Sequence, residues 1–266
     1  MPAGQEVTID YGIKGELALV LGGTRGLGLS CAQALAQAGV RVLVNGRDKA
    51  VGEAVAAKLG NGAAYVQGDI SKADQRQALF KAASALGRVS ILVTNAGGPP
   101  PGQFLETTPE SWHAAFETNV FAAIETMRVF LPGMIERRFG RIVNITSFVV
   151  KELYPNMAIS NTMRIALTGA AATLAREVIE HGVTVNNILP GLMDTGALQR
   201  VFKDRSKRQG VSEDEVKKQM AASVPAKRLG TADDFGPACA FLCSRQASYI
   251  TGQNICIDGG LVKSLI

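Results

Sequence analysis

The chain has 266 residues, 47% hydrophobic and 19% charged, with a formal net charge of +5. That is ample apolar material for a large core and argues against intrinsic disorder. No run of about 18 apolar residues is present, so no membrane span is implied; the stretch 1–14 carries Glu6 and Asp10 without an apolar h-region, so it does not read as a secretory signal and a cytoplasmic location is expected.

Four cysteines (Cys31, Cys239, Cys243, Cys256) and two histidines (His113, His181) supply no plausible zinc set, and the cysteines read as small buried thiols of a reducing compartment. The basic residues are scattered, with clusters at Arg137-Arg138-Arg141 and 203–208. No aromatic residues interleave with them, so they read as solvated faces rather than a nucleic-acid surface. A basic rim attracting a phosphorylated cofactor or an acidic substrate carrier stays open.

In chain order, an apolar run at 17–21 predicts a strand buried on both faces of a parallel sheet. Gly22-Gly23-Thr24-Arg25-Gly26-Leu27-Gly28 follows at once, and a small-residue helix is predicted over 29–38 with Gly39 as its C-cap. The spacing is G-x-x-x-G-x-G. Glycine suits it because backbone N–H groups and the positive end of a helix must approach a pyrophosphate closely. Strands are predicted at 40–44, 63–67, 90–94, 141–146, 183–189 and 254–257. Helices are predicted at 48–59 with Asp48 as N-cap, from Ser71 as cap to about 86, and from the Thr108-Pro109 start past Asn119 to about 136. The remaining helices fall at 156–180, stopped by Gly182, then 198–207, 212–222 and 232–244. Prolines 99–101 stiffen the loop after the strand at 90–94.

Regular alternation of strands and helices predicts an α/β fold, a doubly wound parallel sheet in one domain over 15–266 after an extension at 1–14. Ligands of such sheets sit outside the carboxyl ends of the strands. The glycine turn, Arg47, Asp69, Asn95, Ser147 and Pro190 all fall at those ends, as one continuous crevice.

These residues resemble the classical short-chain dehydrogenase/reductase family across essentially the whole chain after residue 14. The glycine turn matches its cofactor motif, Asn95-Ala96-Gly97 the motif ending its fourth strand, and Pro190-Gly191 with Thr195 the segment embracing the nicotinamide. Thr251-Gly252-Gln253 with Asp258-Gly259-Gly260 resembles its C-terminal signature. The resemblance implies a Rossmann-type sheet and a cofactor site of Gly22, Thr24, Arg25, Gly26, Leu27, Gly28, Asn45, Arg47, Asp69, Ile70, Asn95, Ala96, Gly97, Arg164, Pro190, Gly191 and Thr195, with Asp69 at the adenine. It also implies a homotetramer or homodimer through helices near 110–136 and 156–180.

Cofactor type follows from charge. A site for NAD places a carboxylate after the second strand, which repels a 2′-phosphate. Here Asn45-Gly46-Arg47 comes first, with no acid before Asp48, and Arg25 adds a cation, so NADP(H) is expected over NAD(H).

The family pattern is a serine followed by Tyr-x-x-x-Lys. Ser147 matches the serine and Asn119 the supporting asparagine, but the pair reads Ser160-x-x-x-Arg164. A serine hydroxyl is a far weaker acid than a phenol, whose reference pKa is about 10. Arginine holds charge but cannot relay a proton. Tyr154, in the loop before Ser160, is the candidate substitute donor, with Lys151 and Asp194 as further ionisable candidates. The expected function is an NADP(H)-dependent oxidoreductase acting on a small ketone or secondary alcohol, similar in layout to 3-oxoacyl reductases, with a lid at about 192–225. Non-redox lyase or isomerase chemistry on the same scaffold, or nucleotide binding without turnover, is the alternative. No metal, nucleic-acid or membrane partner is expected.

Overall fold

A computed structural model describes residues 10–264, so residues 1–9 of the N-terminal extension lie outside the described residues. Seven strands, β1 (Leu17–Val20), β2 (Arg41–Gly46), β3 (Ala64–Gln67), β4 (Val89–Thr94), β5 (Gly140–Ile145), β6 (Val183–Pro190) and β7 (Asn254–Ile257), form one sheet in the order β3-β2-β1-β4-β5-β6-β7. All neighbours run parallel. β1, β4 and β5 are buried throughout, and β1 accordingly reads as an unbroken apolar run.

Nine α-helices are present among the described residues: α1 (Gly26–Gln37), α2 (Lys49–Leu59), α3 (Ala73–Leu86), α4 (Pro109–Phe116), α5 (Ala122–Glu136), α6 (Ala158–Val178), α7 (Gly196–Gln209), α8 (Glu213–Ser223) and α9 (Ala232–Cys243). Leu35 of α1 and Phe235 of α9 pack with Val20 and Val143 on one face. Phe80 of α3, Met127 of α5 and Leu167 of α6 pack with Leu19 and Ile142 on the other. Side-chain alternation along each strand feeds both cores.

Three boundaries differ from expectation. Helix α1 begins at Gly26, inside the glycine turn, rather than at 29. Ser71 does not cap α3: its N–H donates to Asp69 Oδ1 at 2.9 Å, a local turn that leaves Lys72 at the cap position without a side-chain bond. The helix expected to run unbroken through Asn119 is interrupted by a π-turn at Glu117–Phe121, which separates α4 from α5. The capping roles of Asp48 and Thr108 are as expected, each side chain accepting from an N–H of the first turn, and Ser212 caps α8 in the same way.

Side chains also tie the strands together. Thr94 Oγ1 donates to Asn144 Oδ1 at 2.6 Å, Asn144 Nδ2 to Asn187 Oδ1 at 3.0 Å, and Asn187 Nδ2 to Asn254 Oδ1 at 2.7 Å. The four residues are direct register partners across β4, β5, β6 and β7.

Candidate active site

The glycine turn packs against the end of β4. A Cβ on Gly28 would stand 2.3 Å from the Gly22 carbonyl oxygen, and one on Gly22 would stand 2.8 Å from Asn95 Nδ2. Asn95 Nδ2 itself donates to the Gly22 carbonyl at 3.1 Å, fixing the turn to the neighbouring strand end. Gly22 and Gly26 have positive φ, +56° and +54°. No side chain caps the N-terminus of α1 and its first turn carries no acid. Opposite stands Thr195: a Cβ on Gly26 would meet nothing closer than the Thr195 side chain at 3.9 Å. An uncapped helix N-terminus facing open space under a glycine backbone fits a pyrophosphate.

At the end of β2 the expected groups divide. Asn45 is buried and its Nδ2 donates to the carbonyls of Val66 and Gly68, so its side chain braces the sheet edge instead of facing the crevice. Arg25 pairs with Asp48 at 2.9 Å, which neutralises the one acid there. Arg47 is exposed and makes no ion pair among the described residues. Partial burial works to raise the pKa of Asp69, but the Ser71 N–H and hydroxyl and the charges of Arg47 and Lys72 outweigh it and hold that carboxyl below its ordinary value. Thr24 is buried beneath the turn, where a Cβ on Gly46 would collide with its hydroxyl at 2.6 Å.

At the ends of β4 and β5 lies a small cavity whose lining includes Ile70, Thr94, Asn95, Asn119 and Arg164. Arg164, 8% exposed on α6, donates to the carbonyls of Ile145 at 3.0 Å and Ala96 at 3.3 Å. Burial pushes its guanidinium down to about 10, which leaves it a cation at neutral pH. It has no carboxylate partner among the described residues. Asn119 sits in the π-turn with Nδ2 bonded to the Ala115 carbonyl and a buried Oδ1 that has no partner. Gly97, next to the Ala96 carbonyl, has open space around its Cα.

Ser147 Oγ accepts the Val149 N–H at 3.4 Å, which leaves its own O–H free to donate. Ser160 is buried, and its hydroxyl makes no hydrogen bond among the described residues. Tyr154 packs edge-on against Phe148 with ring centroids 5.8 Å apart, and its carbonyl accepts from Asn161 Nδ2 at 3.0 Å. Its phenol oxygen accepts a hydrogen bond from Arg205 on α7, a contact that sequence reasoning missed. The spacing of Arg205 from Leu198, Val201 and Phe202 on one helical stripe was the available signal.

The segment after Pro190 is held down at its base. Gly191 lies so close to Asp258 that a Cβ would stand 2.6 Å from the aspartate Cβ. Asp194 N–H donates to the Gly230 carbonyl at 2.8 Å, and its carboxylate pairs with Lys217 at 2.7 Å and accepts from Gln199. Asp194 is thereby occupied by α7 and α8, and Lys151 makes no ion pair among the described residues. Helices α7 and α8 close their own small core of Leu198, Phe202, Val216, Met220 and Leu229.

A sheet wound both ways about a glycine turn, with a serine and a buried cation at the adjoining strand ends, defines a dinucleotide-dependent oxidoreductase site. The chain belongs to the short-chain dehydrogenase/reductase family. The family profile described as enoyl-(acyl carrier protein) reductase matches residues 22–262. The chain is similar to the NADPH-dependent reductase BacG of Bacillus subtilis, with 32% identity covering 93% of this chain and 98% of the relative. It is also similar to the 3-oxoacyl-(acyl-carrier-protein) reductase FabG of Haemophilus influenzae, with 33% identity covering 95% and 100%. The crystal structure of L-sorbose reductase from Gluconobacter frateurii with NADPH and L-sorbose superposes with a TM-score of 0.91 at 29% identity, covering 97% of this chain and all of that one.

Proposed function

We infer that the protein is an NADP(H)-dependent oxidoreductase that interconverts a ketone and its secondary alcohol. The observation that carries this is the convergence of the uncapped α1 N-terminus, Ser147 and the unpaired Arg164 cation on one crevice. When bound, the dinucleotide would supply hydride chemistry at the carbonyl carbon, and the protein would supply the proton that the carbonyl oxygen gains. The α1 turn would hold the pyrophosphate, Arg47 the 2′-phosphate and Arg164 the nicotinamide ribose. Asp69, with Ile70, would meet the adenine. Ser147 O–H donates to the carbonyl oxygen. Asn119 Oδ1 would anchor a water behind it.

The proton donor we propose is Tyr154. Arginine can only donate, so Arg205 occupies a lone pair of the phenol and leaves its O–H free to point at substrate. Ser160 in the family's tyrosine position supports the alternative of non-redox chemistry or of binding without turnover. The experiment is NADPH oxidation over ketones, 3-oxoacyl thioesters and diketones by wild type and Ser160→Tyr/Arg164→Lys. Turnover by wild type is expected; turnover by the double variant alone would favour the alternative.

We also propose one functional domain over 15–266 with a lid at 192–225, and a cytoplasmic protein, supported by four free cysteines. No helix among the described residues is long and apolar enough to cross a membrane. A homotetramer or homodimer is supported by Phe116, Val129 and Ile165, between 42% and 45% exposed on α4, α5 and α6.

A further inference from the structure

We propose that the carbonyl substrate carries a carboxylate and that Arg205, on the lid, is the residue that binds it; this rests on the reductase reading of the crevice. Helix α7 turns Leu198, Val201 and Phe202 inward, with Leu198 and Phe202 buried against Val216 and Met220 of α8. Arg205 follows at the i+3 and i+4 spacing, where the stripe would continue with an apolar side chain. The other cations of α7 (Arg200, Lys203, Lys207 and Arg208) are exposed, whereas Arg205 is half-buried.

Two of the lid's acids are already paired. Asp204 pairs with Arg208 at 3.0 Å and Asp194 with Lys217 at 2.7 Å. Arg205 itself has no carboxylate within ion-pair distance among the described residues, and its one hydrogen bond goes to the Tyr154 phenol oxygen. Its guanidinium lies 5.9 Å from the Tyr154 ring centroid. Tyr154 in turn packs on Phe148, the neighbour of Ser147, and is tied through its carbonyl to Asn161, the neighbour of Ser160. A partly desolvated guanidinium with most of its five donors uncommitted is therefore held at the rim of the carbonyl site. A planar carboxylate matches that fork in charge and geometry. The substrate class is an oxo acid with its carboxylate a few bonds from the reacting carbonyl.

The test is isothermal titration calorimetry of the protein–NADPH complex with 4-phenyl-2-oxobutanoate and with its ethyl ester, in wild type, R205K and R205Q. Wild type should bind the acid roughly 10-fold or more tighter than the ester. R205Q should lose that discrimination, and R205K should keep part of it, with NADPH affinity unchanged in both. Equal binding of acid and ester by wild type, or discrimination that survives in R205Q, overturns the proposal. Should R205Q fail to bind NADPH, R205K carries the test, and full retention of the discrimination there overturns it. Acid that binds selectively while NADPH stays unoxidised leaves Arg205 assigned and defeats the reductase reading instead.

Discussion

The two halves of the crevice satisfy their polar groups in opposite ways. On the nucleotide side, Asn95 spends its amide on Gly22, Asn45 on the end of β3 and Arg25 on Asp48. On the substrate side, Asn119 Oδ1, Thr146 Oγ1 and Asn161 Oδ1 are buried without partners, and Arg164 and Arg205 are cations without carboxylates among the described residues. Buried polar groups are costly when unpaired. On the proposed reading, the first half is a finished cradle for a cofactor and the second a set of open valences for ligand and water. The same contrast separates backbone recognition, which needs only glycine and a helix end, from side-chain recognition, which needs residues brought from three distant segments.

The largest expected effect tests the unfinished half. Tyr154→Phe removes the proposed donor and should lower kcat by about 10²-fold or more, within the usual range for general acid catalysis. NADPH affinity should be unchanged, as steady-state kinetics with a fluorescence titration would show. Retained kcat would remove Tyr154 from the reaction.

Gly28→Ala tests the finished half. Its Cβ has no room against Gly22 and Asn95, so a loss of about 1–3 kcal/mol in stability is expected, as for overpacked sites. Thermal melts with and without NADPH should show a lower Tm and a smaller stabilisation by cofactor. Arg47→Gln should reduce the preference for NADPH over NADH by roughly 10-fold, the loss of one charge-assisted contact. An unchanged ratio would return Arg47 to solvent.

The smallest effect lies behind the cradle, in the cap of α9, the helix that packs on α1. Arg228 grips Asp234 through two bonds of 2.7 Å, and the Thr231 N–H adds a third at 2.8 Å. The Arg228 hydrogen bond, with those from Thr231, holds the Asp234 carboxyl well below the carboxylate range. Its contribution to stability is therefore present above the unfolded pKa of about 4 and fades as acid protonates it below that point. Asp234→Asn should lower Tm slightly at pH 7, and the gap from wild type should close as melts are repeated from pH 5 down to pH 2.

The fold was legible in the sequence because its signals are local. Apolar runs, the glycine turn and caps such as Asp48 and Thr108 each act within a few residues. Ser71 misled because Asp69 competes for its N–H, a choice that a cap rule does not contain. The π-turn at Asn119 carries no proline or glycine to announce it. Ser147, Ser160 and Arg164 were reached through the resemblance to the family pattern, which lies along one segment. Arg205 was not, because its meeting with Tyr154 depends on how α7 lies over the loop after β5.

The row of Thr94, Asn144, Asn187 and Asn254 has one further consequence. Each member faces its partner directly, on the side of the sheet covered by α5 and α6. Sliding any one strand by a single residue would turn its member of the row into the opposite apolar core and break every bond that member makes to its neighbours. Errors in strand height are therefore all-or-none. Asn95 lies one residue beyond this row, Ser147 three beyond it on the next strand, and Pro190 three beyond it on the strand after that. The three rim positions are thus measured from a common datum, and their spacing is set by the sheet before any ligand arrives.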